Sequence, residues 1–381
     1  MKTAFIHHPD LERYDFAPDH PFKPSRTRVT IDACRRLGLL DRPWMKLVEA
    51  APCPTDLLRE HLDPAYLDAL VEANEGRFEP AMLRFGLGTA DCPVFPGVLD
   101  FARLVVGCTT LGCDLLLRGE ADRVFSPSGG FHHAGPGHAE GFCYVNDCVI
   151  AIRRLRAAGK RVAYVDIDAH HGNGVQQAFR RDGDVLTVSI HETGRTLYPW
   201  GGFETEIGDG PGRGTNLNVP LEPESDDDIF YEAWDTLVVP VVHAFAPDVL
   251  VSQLGVDGIR GDPLTHLALT NNGIAHAVTG MLGMAPLWLA LGGGGYAMHH
   301  VSRGWALAWA ILNGIEQAED EFLGAVGGVL LGDTGAGPGG LRDMRAYTHG
   351  AAKERARQSL REVRAFLAER DFPVLASPPG K

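Results

Sequence analysis

Four short runs of apolar and β-branched residues stand out along the chain, and they are typical of strands buried inside a parallel sheet. The predicted strands cover residues 162–168, 185–190, 249–254 and 287–291. Stretches with the apolar periodicity of a helix lie between them, at residues 146–158, 229–244 and 273–282. Strands that alternate with helices predict an α/β fold, in which helices cover both faces of an open parallel sheet.

Each predicted strand is followed at once by polar or glycine residues. These segments are residues 169–172, 191–192, 255–257 and 292–295. In an open parallel sheet, ligands bind beyond the carboxyl ends of the strands. We therefore expect the four strand ends to line one site.

The size and composition of the chain fit one large globular unit. It has 381 residues, of which 45% are hydrophobic and 22% are charged. We expect a single domain over residues 1–381, with its core at about 1–320 and a C-terminal helical segment at 341–372. Residues 334–340 predict a flexible loop, and residues 377–381 predict a frayed tail.

Charge and cysteine content restrict the classes of partner. The formal net charge is −14 and no run of lysine and arginine could neutralise a row of phosphates, so we expect no nucleic acid partner. The acidic balance suits basic protein segments or polyamines as substrates, and equally plain solubility. Seven cysteines without a C-x-x-C pair suit a reducing compartment. Without a signal peptide or an apolar run of ~18 residues, a cytoplasmic location with no membrane association is expected.

Asp166, Asp168 and His170 alternate with apolar residues at the end of the first predicted strand, which places them on one face. Alone, this pattern fits a metal site and a polar strand end with ion pairs equally well. Asp257, which follows a separate strand, favours the metal site. Two carboxylates and one imidazole leave a coordination position open, as in catalytic zinc sites, and they would also accept Fe²⁺ or Co²⁺.

His132 and His133 stand side by side in a glycine-rich segment at residues 129–138, after a strand-like run at 124–126. Because histidine titrates near neutrality, a tandem pair beside a metal can supply a general base, a general acid or a fixed cation. A hydrogen-bonded pair of loop histidines is the alternative interpretation of this motif alone.

Six segments together resemble the zinc-dependent histone deacetylase family, and within it the bacterial acetoin-utilisation deacetylases. They are residues 20–26, 91–93, 129–147, 166–174, 253–263 and 292–296. The resemblance implies an arginase/deacetylase-like fold with about eight parallel strands. It also implies a metal-dependent amide hydrolase whose active site lies at the carboxyl ends of those strands.

The family's metal ligands match residues of this sequence. By the resemblance, Asp168, His170 and Asp257 would bind zinc, or Fe²⁺ in its place. A structural potassium ion is also implied, and only by the resemblance. Its ligands would be the side chains of Asp166 and Ser189 and the backbone carbonyls of Asp168, His170 and Ile190.

The resemblance also assigns catalytic roles. His133 would be the general base and then protonate the leaving amine, with Asn173 as its partner. His132, oriented by Asp166, would supply positive charge. Tyr296 would donate its hydroxyl to the oxyanion, which suits a reaction at an acetamide carbonyl because that group is a poor electrophile.

The implied substrate-binding residues form a narrow tunnel, its rim and an inner channel for acetate. Gly141, Phe142 and Tyr198 would surround the acyl-lysine stem. Asp91 would accept hydrogen bonds from the substrate backbone. The remaining residues of this group are Leu264 in the rim wall, Gly294 in the glycine run and Arg26 beside the inner channel.

Three residues depart from the usual family pattern. Asn173 stands where class I enzymes usually have an aspartate, and a neutral partner should leave the pKa of His133 lower. Tyr198 adds a hydroxyl to the tunnel, and Trp200, with Gly201 and Gly202 after it, replaces a more usual glycine-rich turn after Pro199. These changes affect the expected substrate preference more than the expected chemistry.

The predicted function is a zinc-dependent amidohydrolase that removes acetyl groups from N-acetyl-lysine side chains of proteins and releases acetate. Acetylpolyamines or other small acylated amines are the alternative substrates. Two other function classes are a binuclear manganese hydrolase of the arginase type and a binder of acyl-lysine without enzymatic activity. The sequence predicts no particular oligomeric state.

Overall fold

The structure is a computed structural model that describes residues 1–315 and 341–370, together with Phe372 and Leu375. The predicted loop at residues 334–340 and the predicted tail at 377–381 lie outside the described residues. Within the described residues there are eight strands, at Thr3–His7 (β1), Met45–Glu49 (β2), Arg123–Ser126 (β3), Val162–Asp166 (β4), Val185–Glu192 (β5), Asn216–Leu221 (β6), Val249–Gln253 (β7) and Leu287–Leu291 (β8).

The strands form one sheet in the order β2-β1-β3-β8-β7-β4-β5-β6, and every neighbouring pair is parallel. The four strands predicted from the sequence are β4, β5, β7 and β8, which lie side by side at the centre of the sheet. Their carboxyl ends therefore meet at one edge, and the predicted α/β fold with an open parallel sheet is confirmed. The short strand β3, which precedes the tandem histidines, lies beside β8.

The central strands are apolar on both faces because each face packs against a separate hydrophobic core. In β7, Val249 and Val251 contribute to one core, whereas Leu250 contributes to the other. All three side chains are fully buried. This double burial explains why the runs are apolar at successive positions rather than at every second one.

Helices cover both cores. Their bounds within the described residues are Arg26–Arg36 (α1), Thr55–Arg59 (α2), Pro64–Asn74 (α3), Val98–Leu117 (α4), Asp147–Ala157 (α5), Asn173–Phe179 (α6), Asp227–Ala233 (α7), Val239–Phe245 (α8), Asn271–Met281 (α9), Met298–Leu312 (α10) and Gly350–Ala368 (α11). A π-helical segment at Trp234–Val238 joins α7 to α8. Short 3-10 helices lie at Pro9–Arg13, Pro80–Phe85 and Gly210–Gly212.

The helices pack in two layers. Helices α4 and α5 contact each other on one side of the sheet, and α10 contacts α1 and α9 on the other. Helix α11 lies in the segment predicted to be helical at 341–372 and packs against β6 and α7. Among the described helices, none combines the length and the apolar character needed to cross a bilayer.

Candidate active site

Asp168, His170 and Asp257 form a buried cluster at the edge where the central strands end. The first two follow β4 and the third follows β7, so the parallel pairing of these neighbouring strands brings them together. One ligand atom from each lies within 4.8 Å of the others. His170 Nδ1 is 2.9 Å from Asp257 Oδ2 and 3.2 Å from Asp168 Oδ1. The three predicted metal ligands therefore meet at one point.

The electrostatics of this cluster fit a divalent cation. Burial and the neighbouring Asp168 carboxylate raise the pKa of Asp257 to about 7. Burial alone would lower the pKa of His170, but its hydrogen bonds with Asp168 and Asp257 raise it to about 10. Both shifts arise because two buried carboxylates need more positive charge than their surroundings supply. Two carboxylate oxygens and one imidazole nitrogen are a donor set that zinc accepts.

Neighbouring groups fix the position of the Asp168 carboxylate. Its Oδ2 atom accepts hydrogen bonds from Gln253 Nε2 and from the backbone N–H of Gly294, both at 2.6 Å. Position 294 has to be glycine because a Cβ there would overlap Asp257 Oδ2 and lie 2.8 Å from Asp168 Oδ2. The backbone at Gly294 therefore passes close to two of the three candidate ligands, and it donates a hydrogen bond to Asp168.

The tandem histidines lie in a continuous row of hydrogen bonds beside the cluster. His132 Nδ1 is 2.7 Å from Asp166 Oδ2, and the Nε2 atoms of His132 and His133 are 3.1 Å apart. His133 Nδ1 is 2.7 Å from Asn173 Oδ1. Asp166 also accepts a hydrogen bond from the hydroxyl of Tyr164 at 2.6 Å. Both histidines are buried.

The two histidines differ in basicity. Burial lowers the pKa of His132, but Asp166 and Asp168 more than offset this effect and raise it above its ordinary value. Burial and the adjacent His132 hold the pKa of His133 well below its usual range. The shift has the expected direction, but burial is its main cause, and the hydrogen bond with Asn173 raises the pKa of His133.

A buried carboxylate holds the loop that carries the histidines. Asp147, the first residue of α5, accepts hydrogen bonds from the backbone N–H groups of Gly130 and Phe131 and from the hydroxyl of Thr109. The loop turns sharply at Gly130, whose φ of 100° is favourable only for glycine. These contacts place the imidazole rings next to the end of β4.

Tyr296 and Arg26 complete a cavity that reaches the cluster. The backbone N–H of Tyr296 donates to Asp262 Oδ2 at 2.8 Å, and its ring packs edge-on against Phe142 with centroids 5.7 Å apart. Arg26 is buried and donates to the carbonyls of Gly293 and Gly295, both at 2.9 Å. The cavity lining includes Phe22, Arg26, His132, His133, Gly141, Phe142, Asp168, Gly294 and Tyr296.

Three predicted substrate residues lie outside the lining of this cavity. Tyr198 packs edge-on against the ring of His133, with centroids 5.2 Å apart. Asp91 is exposed, and its backbone carbonyl lies 3.2 Å from His20 Nε2. Leu264 donates its backbone N–H to Asp262 Oδ1 at 3.0 Å. Of the three, Tyr198 is in contact with a candidate catalytic group.

The side chains predicted to bind potassium lie on adjacent strands. Asp166 of β4 and Ser189 of β5 are register partners. Asp166 Oδ1 accepts a hydrogen bond from the backbone N–H of Asp168 at 3.0 Å, and Ser189 Oγ lies 2.8 Å from His191 Nδ1. Ile190, whose backbone carbonyl completes the prediction, is the next residue of β5.

Three residues of the site were not predicted from the sequence. Gln253 supports Asp168, and Asp262 accepts the backbone N–H groups of Tyr296 and Leu264. Both belong to the segment 253–263 that carried the resemblance, which was the available signal. Glu140 accepts hydrogen bonds from Asn173 and Tyr198. Glu140 also lies in a segment that carried the resemblance, residues 129–147, but the resemblance assigned it no role.

Comparisons with known proteins agree with this geometry. A model of the histone deacetylase domain matches residues 20–312. The chain is 38% identical over 328 residues to the acetoin utilization protein AcuC of Bacillus subtilis, and the match covers 84% of each protein. It is 32% identical over 322 residues to histone deacetylase RPD3 of Saccharomyces cerevisiae, covering 84% of this chain and 73% of the relative.

A solved structure shows the same fold. The crystal structure of an HDAC homologue from Aquifex aeolicus aligns with a TM-score of 0.83 at 30% sequence identity, covering 95% of this chain and 100% of the other. The family resemblance predicted from the motifs is thereby confirmed. The chain belongs to the histone deacetylase family and is a hydrolase that acts on amide bonds.

Proposed function

We propose that this protein is a zinc-dependent amidohydrolase that removes acetyl groups from N-acetyl-lysine side chains of proteins and releases acetate. The observation that carries the proposal is a single cavity that meets three kinds of group. These are Asp168 of the candidate metal cluster, the tandem histidines and Tyr296. A binder of acyl-lysine without activity would need none of the hydrogen bonds that hold the histidines.

Asp168, His170 and Asp257 would hold the metal ion. When bound, a zinc ion supplies a Lewis acid for the acyl carbonyl and lowers the pKa of a water molecule. Fe²⁺ fits the same donors. The described residues offer one such three-ligand cluster, which favours a mononuclear site over the binuclear manganese site of the arginase type.

The histidines and the tyrosine divide the remaining chemistry. His133 is neutral at physiological pH and takes a proton from the attacking water at Nε2, then gives it to the leaving amine. His132 is held by Asp166 and supplies positive charge beside His133. Tyr296 donates its hydroxyl to the oxyanion that forms at the carbonyl.

The acyl substrate would enter between Phe142 and Tyr198. Phe142 contacts Tyr296, and Tyr198 contacts His133, so each ring borders a catalytic group. Gly141 leaves room beside His133, because a Cβ there would overlap the imidazole ring. Asp91 and Leu264 would form the rim of the tunnel. Arg26 would lie beside the inner channel through which acetate leaves. A potassium ion at Asp166 and Ser189 would support the end of β4.

The test is turnover of acetyl-lysine peptides and acetylpolyamines, side by side, by the metal-loaded protein. We expect acetate release from the peptides with the higher kcat/KM. A higher value for acetylpolyamines would move the substrate assignment to small amines and leave the chemistry intact. Binding of acetyl-lysine peptides without acetate release would refute the proposed activity.

A further inference from the structure

The hydrogen bonds of the tandem histidines continue beyond Asn173 to a fifth side chain, Glu140. Asn173 Nδ2 donates to Glu140 Oε1 at 3.3 Å. The row therefore runs from the carboxylate of Asp166 through His132, His133 and Asn173 to the carboxylate of Glu140. Asn173 and Glu140 are 33 positions apart, and only the fold brings them together.

The two carboxylates at the ends of this row determine its direction. An ionised carboxylate can only accept hydrogen bonds. His132 must therefore donate from Nδ1 to Asp166, and Asn173 must turn its NH₂ group towards Glu140. The amide then presents its oxygen to His133, so His133 must carry its proton on Nδ1. Both histidines then carry a proton on Nδ1, which leaves the lone pair of His133 Nε2 as the one that can accept a proton.

The orientation of the Asn173 amide has a chemical consequence. Oxygen and nitrogen of an asparagine side chain exchange places when the amide rotates by half a turn. If Asn173 presented its NH₂ group to His133, Nδ1 would become the acceptor and the proton would move to Nε2. A neutral His133 with its proton on Nε2 cannot accept a proton there, and it could not act as the base. An aspartate at position 173 would not need this control, because both its oxygens accept.

Glu140 is held in place and remains ionised. Tyr198 donates its hydroxyl to Oε1 at 2.5 Å, and His138 Nε2 lies 3.1 Å from Oε2. Two backbone hydrogen bonds between Glu140 and Cys143 fix the turn at residues 140–143, to which the Glu140 side chain is attached. Burial would raise the pKa of Glu140, but the hydrogen bonds from His138, Tyr198 and Asn173 lower it below its ordinary value.

We propose that Glu140 is a positioning residue for His133: by fixing the amide of Asn173, it keeps the proton of His133 on Nδ1 and leaves Nε2 available as the base. The inference rests on the proposed function, because it takes His133 to be the base. Glu140 touches neither the reacting atoms nor the candidate metal ligands. It also holds the hydroxyl of Tyr198, but its effect on the proton of His133 passes through Asn173.

Glu140→Gln provides the kinetic test, because a glutamine can either accept from or donate to Asn173. We expect kcat for the preferred acetylated substrate to fall by about tenfold with KM within about twofold, since part of the protein then holds the inactive tautomer. The same change in an Asn173→Asp background should cause no loss, because the aspartate accepts from His133 without help. His138→Ala removes the partner of the other carboxylate oxygen, Oε2, and leaves the contact between Oε1 and Asn173, so it should leave kcat within about twofold.

Nitrogen NMR of histidine-labelled, zinc-loaded protein reads the tautomer directly, whether or not a substrate is turned over. We expect His133 to be protonated on Nδ1 in the unmodified protein and to show a mixture of tautomers in Glu140→Gln. An unchanged tautomer in Glu140→Gln, or an equal loss of kcat in both backgrounds, would overturn the proposal. If no acetylated amine is hydrolysed, the proposed function fails, and the NMR result still decides the role of Glu140.

Discussion

At the scale of single residues, the site depends on side chains that the fold places in fixed hydrogen-bonding roles. The tandem histidines have opposite pKa shifts although both are buried. Asp166 and Asp168 offset the burial of His132, whereas burial and the adjacent His132 dominate at His133. The two imidazoles are thereby suited to different tasks. Tyr296 approaches from the other side of the cavity, where its ring rests against Phe142.

Removing the hydroxyl of Tyr296 should impair the chemical step alone. In Tyr296→Phe, we expect kcat to fall by roughly 10²–10³-fold, because one donor to the oxyanion is lost. KM and the zinc content should stay close to those of the unmodified protein, since the ring keeps its contact with Phe142. Steady-state kinetics with an acetyl-lysine peptide and metal analysis check both points. Turnover at the original rate would remove Tyr296 from the mechanism.

The sequence predicted the residues of the candidate metal site because each follows a recognisable strand. Asp168 and His170 end one apolar run and Asp257 follows another, so pairing of parallel strands suffices to bring them together. Glu140 is different. Its contact with Tyr198 joins positions 58 apart through two irregular loops, and neither periodicity nor strand order determines where those loops meet.

At the scale of elements, the site is built from the segments that follow the central strands. The glycine run after β8 is the most tightly constrained of these. Gly293 and Gly295 have φ values of 153° and 134°, and Gly294 between them donates to Asp168. This backbone passes so close to the candidate ligands that no side chain fits at position 294.

Gly294→Ala should therefore displace the Asp257 carboxylate. We expect zinc affinity to fall by at least about tenfold. We expect kcat to fall by about tenfold to a hundredfold, because displacing a ligand by ~1 Å disturbs the reacting geometry. Metal analysis after dialysis and peptide turnover measure the two effects. Gly283→Ala is the matched control, because a Cβ at that position meets no atom within 4 Å. Equal behaviour of the two variants would contradict the close packing described for Gly294.

The elements predicted from the sequence are those with a strong apolar pattern. The outer strands β1, β2 and β6 were not predicted. Strand β2 is five residues long and largely exposed, so burial leaves little pattern in it. Strand β6 contains Asn216 and Asn218, which disfavour a strand, yet both are buried because their side chains donate to Gln176. Tertiary hydrogen bonds override local propensity there.

At the scale of the whole molecule, the C-terminal helix is tied to the sheet domain by a buried ion pair. Lys353 of α11 contacts Asp226, whose carboxylate also caps α7 and accepts the backbone N–H of Thr348. Both charged side chains are buried. Burial would raise the pKa of Asp226, but these hydrogen bonds lower it below its ordinary value of 3.8.

Asp226→Asn should destabilise the protein by about 2 kcal/mol at pH 7, because it leaves the buried ammonium group of Lys353 with Asp228 as its remaining carboxylate partner. A lowered pKa means that the stabilisation is present above pH ~4 and is lost as the pH falls through the pKa of the folded state. The difference in the free energy of unfolding between Asp226→Asn and the unmodified protein should therefore be constant between about pH 5 and 7. It should become smaller below pH ~4, near the ordinary pKa of an aspartate. Denaturant unfolding at several pH values measures it.

Asp41→Asn supplies the control for this measurement. Asp41 is exposed. Its replacement should change the free energy of unfolding by less than about 0.5 kcal/mol at every pH. A difference between Asp226→Asn and the unmodified protein that grew as the pH fell would show that Asp226 does not bind Lys353 in the way described.

The central claim is that one zinc ion held by Asp168, His170 and Asp257 supports amide hydrolysis. The most direct measurement is acetate release from an acetyl-lysine peptide while zinc is titrated into chelator-stripped protein, with Asp257→Asn treated in parallel. We expect activity to rise to a plateau near one zinc per chain, and Asp257→Asn to stay near the background rate. Full turnover by the stripped protein, or a plateau at two zinc ions per chain, would contradict it.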